Sequence, residues 1–220
     1  MKSPKFVLKL IRTAQLATAV FVFLASTVNA QSIFTNPITG TNPNTANPYT
    51  TGQTVDSNLG VTGIGRGTGI SGNAGDNRYN ATSWNTTALD ANEYFTFTLT
   101  PNSGFQLNLV SFVYVAQASG TGPTSFSFRS STDSFGSSID TPTSTGATIS
   151  LSSGSFQSLT GSTEFRLYAW GGTGGTFSVN SFTFNGSLSA IPEPSTYAAI
   201  FGALALAGTV WHRRRQRKAV

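Results

Sequence analysis

Tyr94-Phe95-Thr96-Phe97-Thr98-Leu99 is the stretch that decides the fold class of this chain. Apolar and other side chains alternate with a period of two, which puts Phe95, Phe97 and Leu99 on one face of a β-strand. Pro101-Asn102-Ser103-Gly104 supplies a turn, and Phe105, Leu107 and Leu109 begin a second strand that runs to Val115. The apolar set of that strand shifts to Phe112 and Tyr114, so a bulge is expected near Val110.

Working outward, further strands are expected over residues 125–129, 147–151, 164–170 and 176–185. Gly120-Thr121-Gly122-Pro123 and Gly171-Gly172-Thr173-Gly174-Gly175 separate them. Short, regularly spaced strands rich in Thr and Phe, with no 3.6-residue period, predict an all-β protein: an antiparallel two-sheet sandwich. Thirteen Phe residues between positions 31 and 190 suffice to fill one core. Cysteine is absent, so a domain of this size relies on that core rather than on disulfides.

Upstream of the deciding stretch the pattern is weaker. Residues 31–60 carry Asn36-Pro37, Asn42-Pro43 and Asn47-Pro48, which are turn starters, and predict a loop-rich segment wrapped onto a sheet. Gly63, Gly65, Gly67, Gly69, Gly72 and Gly75 follow. No strand–helix unit surrounds their GxGxxG-like spacing, so turns beside a strand with Val61, Ile64 and Ile70 are expected, not a phosphate loop.

The formal charge of +5 is concentrated at the two ends. Arg66, Arg78, Arg129 and Arg166 are the only cations between residues 31 and 190, against seven carboxylates, which leaves −3. No basic face remains to follow a phosphate backbone, and nucleic acid is excluded as a partner. The first thirty residues have the order of a signal peptide: a cationic start, an apolar run over 14–25, and Val28-Asn29-Ala30 before a cleavage point between Ala30 and Gln31. Signal peptidase and the Sec machinery are the partners this implies.

The last thirty residues repeat that logic at the other end. Ile191-Pro192-Glu193-Pro194-Ser195-Thr196 precedes an uncharged run over 197–211, and Arg213, Arg214, Arg215, Arg217 and Lys218 close it. The prolines favour extended backbone around Glu193. The run of about 15 residues reaches only ~22 Å at ~1.5 Å each, against a hydrocarbon core of ~30 Å, so a short, weakly held C-terminal transmembrane helix is expected. The cations would remain on the cytoplasmic side.

This order resembles the PEP-CTERM sorting tail, also called the ice-binding-protein C-terminal domain, and Pro192 to Thr196 match its Pro-Glu-Pro-Ser-Thr signature. The resemblance covers about thirty residues. It implies an exosortase-type membrane transpeptidase as partner, a transient inner-membrane stage in a Gram-negative bacterium, and a final setting of surface or matrix polysaccharide. Residues 125–135 and 164–170 more loosely resemble the jelly-roll-like ectodomains that precede such tails. The organisation is then a signal peptide (1–30), a sandwich ectodomain (31–190) and a sorting segment (191–220).

His212, the only histidine, lies in the cationic tail, so Ser-His, Cys-His and histidine-based zinc sites are excluded from residues 31–190. Asp90 with Glu93, or Asp133 with Asp140, could be proposed on spacing alone as a glycan-cleaving carboxylate pair, but solvated carboxylates in loops and at strand edges are the favoured account. Asp76, Asn77 and Asp133 offer oxygens to Ca²⁺ without the spacing of a known loop, and no metal or cofactor site is assigned. Tyr79, Trp84, Tyr168 and Trp170 flank polar, Gly-rich segments where flat rings can stack on sugars, or else cap the core. The reading is a non-catalytic exported surface protein, with a carbohydrate-binding module and a carboxylate-based glycan-cleaving enzyme as alternatives.

Overall fold

The computed structural model describes residues 31–217. The signal-peptide stretch, Ala30 included, and Lys218 lie outside the described residues. Eleven strands form two antiparallel sheets, and one helix follows them.

The seven-stranded sheet is built on β11 (Phe177–Ala190). Along one edge it pairs over nearly its whole length with β7 (Phe105–Ala118), which in turn pairs with β9 (Gly146–Ser150). Its other edge is shared: β1 (Gln31–Asn36) meets Phe182–Gly186 and β5 (Tyr79–Thr82) meets Phe177–Val179. β2 (Thr54–Val55) and β4 (Ser71–Gly72) extend these two short strands outward. The four-stranded sheet has the order β3 (Leu59–Arg66), β6 (Tyr94–Pro101), β10 (Thr163–Trp170), β8 (Ser125–Ser130).

The period-two reading fixes the inner faces. Phe95, Phe97 and Leu99 of β6 are fully buried, and Phe97 stands directly opposite Phe165 of β10. From the facing sheet Phe112, Phe182 and Phe184 approach Phe97 with ring centroids 5.0, 4.9 and 5.7 Å away. These tilted and edge-on pairs put positive ring edges on negative faces, which adds to the burial of apolar area. The bulge on β7 is where the pattern shifts: Ser111 pairs with Asn185 and Leu109 with Gly186, leaving Val110 as the extra residue.

Residues 31–60 are mostly loop, but they also contain β1, which lies inside the sheet and sends Ile33 and Phe34 into the core. A bulge at Ile33 turns two consecutive side chains inward, which erases the alternation a strand would show in sequence. The Asn-Pro turn reading does hold at Asn36, whose buried Oδ1 accepts the Ile38 N–H at 2.9 Å. In the Gly-rich stretch, β3 bulges between Val61 and Ile64, and Gly63 sits there at φ +85° against the Tyr49 carbonyl. A side chain at that position would strike the backbone of Tyr49.

The helix α1 (Pro194–Gln216) has 23 residues, yet no helix among the described residues is long and apolar enough to cross a membrane. The expected transmembrane helix is corrected on this point. The helical length is present, but its last turn carries Arg213, Arg214 and Arg215, which leaves an uncharged run shorter than the ~20 residues a span needs.

Candidate functional site

The junction between sheet and helix is built from three residues. The last rung of the sheet is the Ile191 N–H donating to the Gly104 carbonyl at 2.8 Å. Pro192 and Glu193 follow, both exposed, with Glu193 extended at φ −66°, ψ 150°. Pro194 then opens α1 rather than continuing the extended segment. Its fixed φ suits the first helical position, where its missing N–H has no partner to lose. Ser195 and Thr196 therefore lie in the first turn, and the Ser195 hydroxyl donates to Glu193 Oε2 at 3.2 Å.

Every described side chain of α1 is exposed. Ile200, Phe201, Leu204, Leu206, Val210 and Trp211 are each at least half exposed and spread around the helix rather than along one stripe. Arg213, Arg214, Arg215 and Arg217 gather at its end, with the Arg215 guanidinium 4.2 Å from the Trp211 ring centroid. Gln31 opens β1 and is exposed opposite Gly186.

The sugar-stacking expectation is mostly overturned by burial. Trp84 is 5% exposed, donates Nε1–H to the Ala81 carbonyl at 3.1 Å and packs edge-on against Phe95 and Phe177. Its indole is a core residue with a satisfied donor. Tyr79 is fully buried as well. Tyr168 points to the outer face of the four-stranded sheet but is 3% exposed, its ring lying edge-on to Tyr94. Only Trp170, half-buried on that same outer face, keeps ring surface open.

The carboxylates are engaged locally. Asp133 accepts the N–H groups of Gly136 and Ser137, and Asp140 those of Thr141 and Ser150, which holds the Asp140 carboxyl below its ordinary range. Glu93 is buried beside the Asn85 N–H that it accepts. Burial raises its pKa above the ordinary value, the Asn85 bond opposes this, and the charge of Asp90 adds to it. Among the described residues no group of three His, Cys, Asp or Glu side chains is placed to hold a metal ion.

A polar recess of about 340 Å³ is lined by Gly40, Thr41, Asn42, Asp76 and Asn77. Asn77 Oδ1 accepts the Gly40 N–H, and Asn42 Oδ1 accepts the Gly75 N–H at 3.1 Å, so the two loops brace each other. Beneath them Arg66, 8% exposed, donates to the carbonyls of Pro43, Asn44, Ala46 and Asn80 and lies 3.7 Å from the Tyr79 ring centroid. Desolvation lowers its pKa. Carbonyl dipoles and a ring face replace the carboxylate that normally accompanies a buried guanidinium. Sequence reasoning missed this clamp, and the signal available for it was a lone Arg in an apolar, Gly-rich strand.

Comparison of the chain with protein-family models, with curated proteins and with solved structures finds no match.

Proposed function

We propose that this chain is an exported, non-catalytic surface protein: a sandwich body carried through the Sec machinery by residues 1–30 and sorted by residues 191–220 as a PEP-CTERM segment. The observation that carries the reading is the junction. Between the Ile191–Gly104 rung and the first turn of α1, Pro192 and Glu193 stand exposed, with neither ladder nor helix to occlude the backbone. A peptidase active site needs such a segment, because it must take the substrate backbone into its own hydrogen bonds. The tail motif that resembles the sorting signature therefore occupies an exposed place beyond the end of the sheet, where a cut would leave the body intact.

The helix supports the same reading. Apolar side chains exposed all round a helix have no partner in water, and a short apolar run ending in arginines suits temporary association with a membrane. An exosortase-type transpeptidase is the processing partner, and the host is a Gram-negative bacterium with the body finally at the outer surface or in the polysaccharide matrix. The body is read as jelly-roll-like because every strand from β6 to β11 switches sheets relative to the one before it.

Glu193→Ala and Pro194→Ala test the reading. Glu193 is exposed and Pro194 follows it beyond the last strand, so export and folding should be unchanged while tail removal stops. Immunoblots of membrane and released fractions from the host should show the full-length form accumulating in the inner membrane. Processing equal to the parent would contradict the sorting role.

A further inference from the structure

The outer face of the four-stranded sheet concentrates what little positive charge the body has. Arg129 of β8 and Arg166 of β10 are direct cross-strand partners, two of only four cations among residues 31–190. Like charges placed opposite each other weaken a sheet. One carboxylate offsets them: Glu164 Oε1 meets Arg166 Nε at 2.7 Å and also accepts the Thr96 hydroxyl at 3.0 Å. The cluster is therefore net positive on a net negative body.

Aromatic rings frame these guanidinium groups. Arg166 lies between the Tyr94 and Phe135 rings, 4.2 and 3.9 Å from their centroids, and its Nη1 donates to the Tyr168 hydroxyl at 3.4 Å. Arg129 stands 5.7 Å from the Tyr168 ring and is held by Ser127 Oγ and the Phe135 carbonyl at 2.9 Å each. Among the described residues neither Arg129 Nη2 nor Arg166 Nη2 has a hydrogen-bond partner. Two held guanidinium groups thus retain free donors, with half-buried Phe135 and Tyr94 beside them.

We infer that this face binds an acidic polysaccharide through its uronate carboxylates. A planar guanidinium matches a carboxylate, and the C–H face of a pyranose ring packs on flat aromatic carbon. The face is an open sheet surface rather than a pocket, which suits an extended polymer better than a small anion. Single-stranded nucleic acid also stacks on aromatics, but it needs a cation for each phosphate it neutralises, and two are offered here. The inference stands on the body alone and does not depend on the sorting of the tail.

The test is calorimetric titration of the full chain in detergent with galacturonate oligosaccharides, with the same oligosaccharides carboxyl-reduced, and with oligo-dT. Binding of the galacturonate form only is expected, weakened by salt and by at least ~10-fold in Arg129→Gln with an unchanged thermal melt. Equal binding of the reduced form, tighter binding of oligo-dT, no binding of galacturonate, or unaltered affinity in a folded Arg129→Gln would each overturn it. Should Arg129→Gln fail to fold, the parent's preference between the charged and reduced ligands decides alone.

Discussion

Phe97 and Phe165 face each other across β6 and β10, and each is ringed by other aromatics, Phe165 by Phe128, Phe156 and Phe184 at centroid distances of 5.5, 5.8 and 5.4 Å. Truncating either to Ala should cost about 3–5 kcal/mol, a large part of the ~5–15 kcal/mol that holds a domain together. Urea unfolding midpoints of the two variants measure this, and midpoints equal to the parent's would reject the register. Tyr114 offers a different test at the same scale. Burial pushes its phenol up to about 12 from 10.0, although its oxygen accepts the Thr143 N–H at 2.8 Å, a bond that acts in the opposite direction. A raised folded pKa means the folded state holds the proton more tightly. The stabilisation is complete below pH 10 and is lost as pH rises from there through about 12. Ultraviolet titration should show phenols ionising late together with unfolding, and Tyr114→Phe should flatten the fall in stability across that interval. A steep fall of equal size in the variant would assign it elsewhere.

At the level of elements, the strands that read clearly from sequence are those with one inward and one outward face. β6 and β10 follow the period of two along their length, and β7 does so on either side of Val110. β1 was illegible because its bulge places Ile33 and Phe34 inward in succession, while the surrounding Asn-Pro pairs signal turns. β5 was missed for a related reason: Tyr79, Asn80 and Ala81 are all buried, so no alternation exists to detect. Among the candidate site residues, Trp84 misled because a polar, Gly-rich sequence neighbourhood says nothing about three-dimensional depth, and its ring fills space between Phe95 and Phe177. The tail was legible in order and less so in conformation, since Pro194 belongs to α1. For α1 itself the cations set the prediction. On the proposed sorting reading, replacing Arg213, Arg214, Arg215 and Arg217 with Gln should remove a charge bias toward the cytoplasmic side, and a C-terminal tag should become accessible to external protease. A tag as protected as in the parent would show that the arginines do not determine topology.

Across the whole molecule two chemistries are kept apart. The body holds its net negative charge over an aromatic core, with Arg66 pinning the 43–46 loop and Arg129 and Arg166 together on one outer face. The tail holds exposed apolar side chains and a terminal cluster of arginines on a single helix. Pro192 and Glu193 are the seam between them. If the seam is where sorting acts, body and tail part company during maturation. Mass spectrometry of both termini of the protein recovered from the surface of its host tests this most directly. The account predicts a mature chain that begins at Gln31 and ends near Pro192-Glu193-Pro194, without α1. A surface-recovered chain that still carries α1 and its arginines would contradict it.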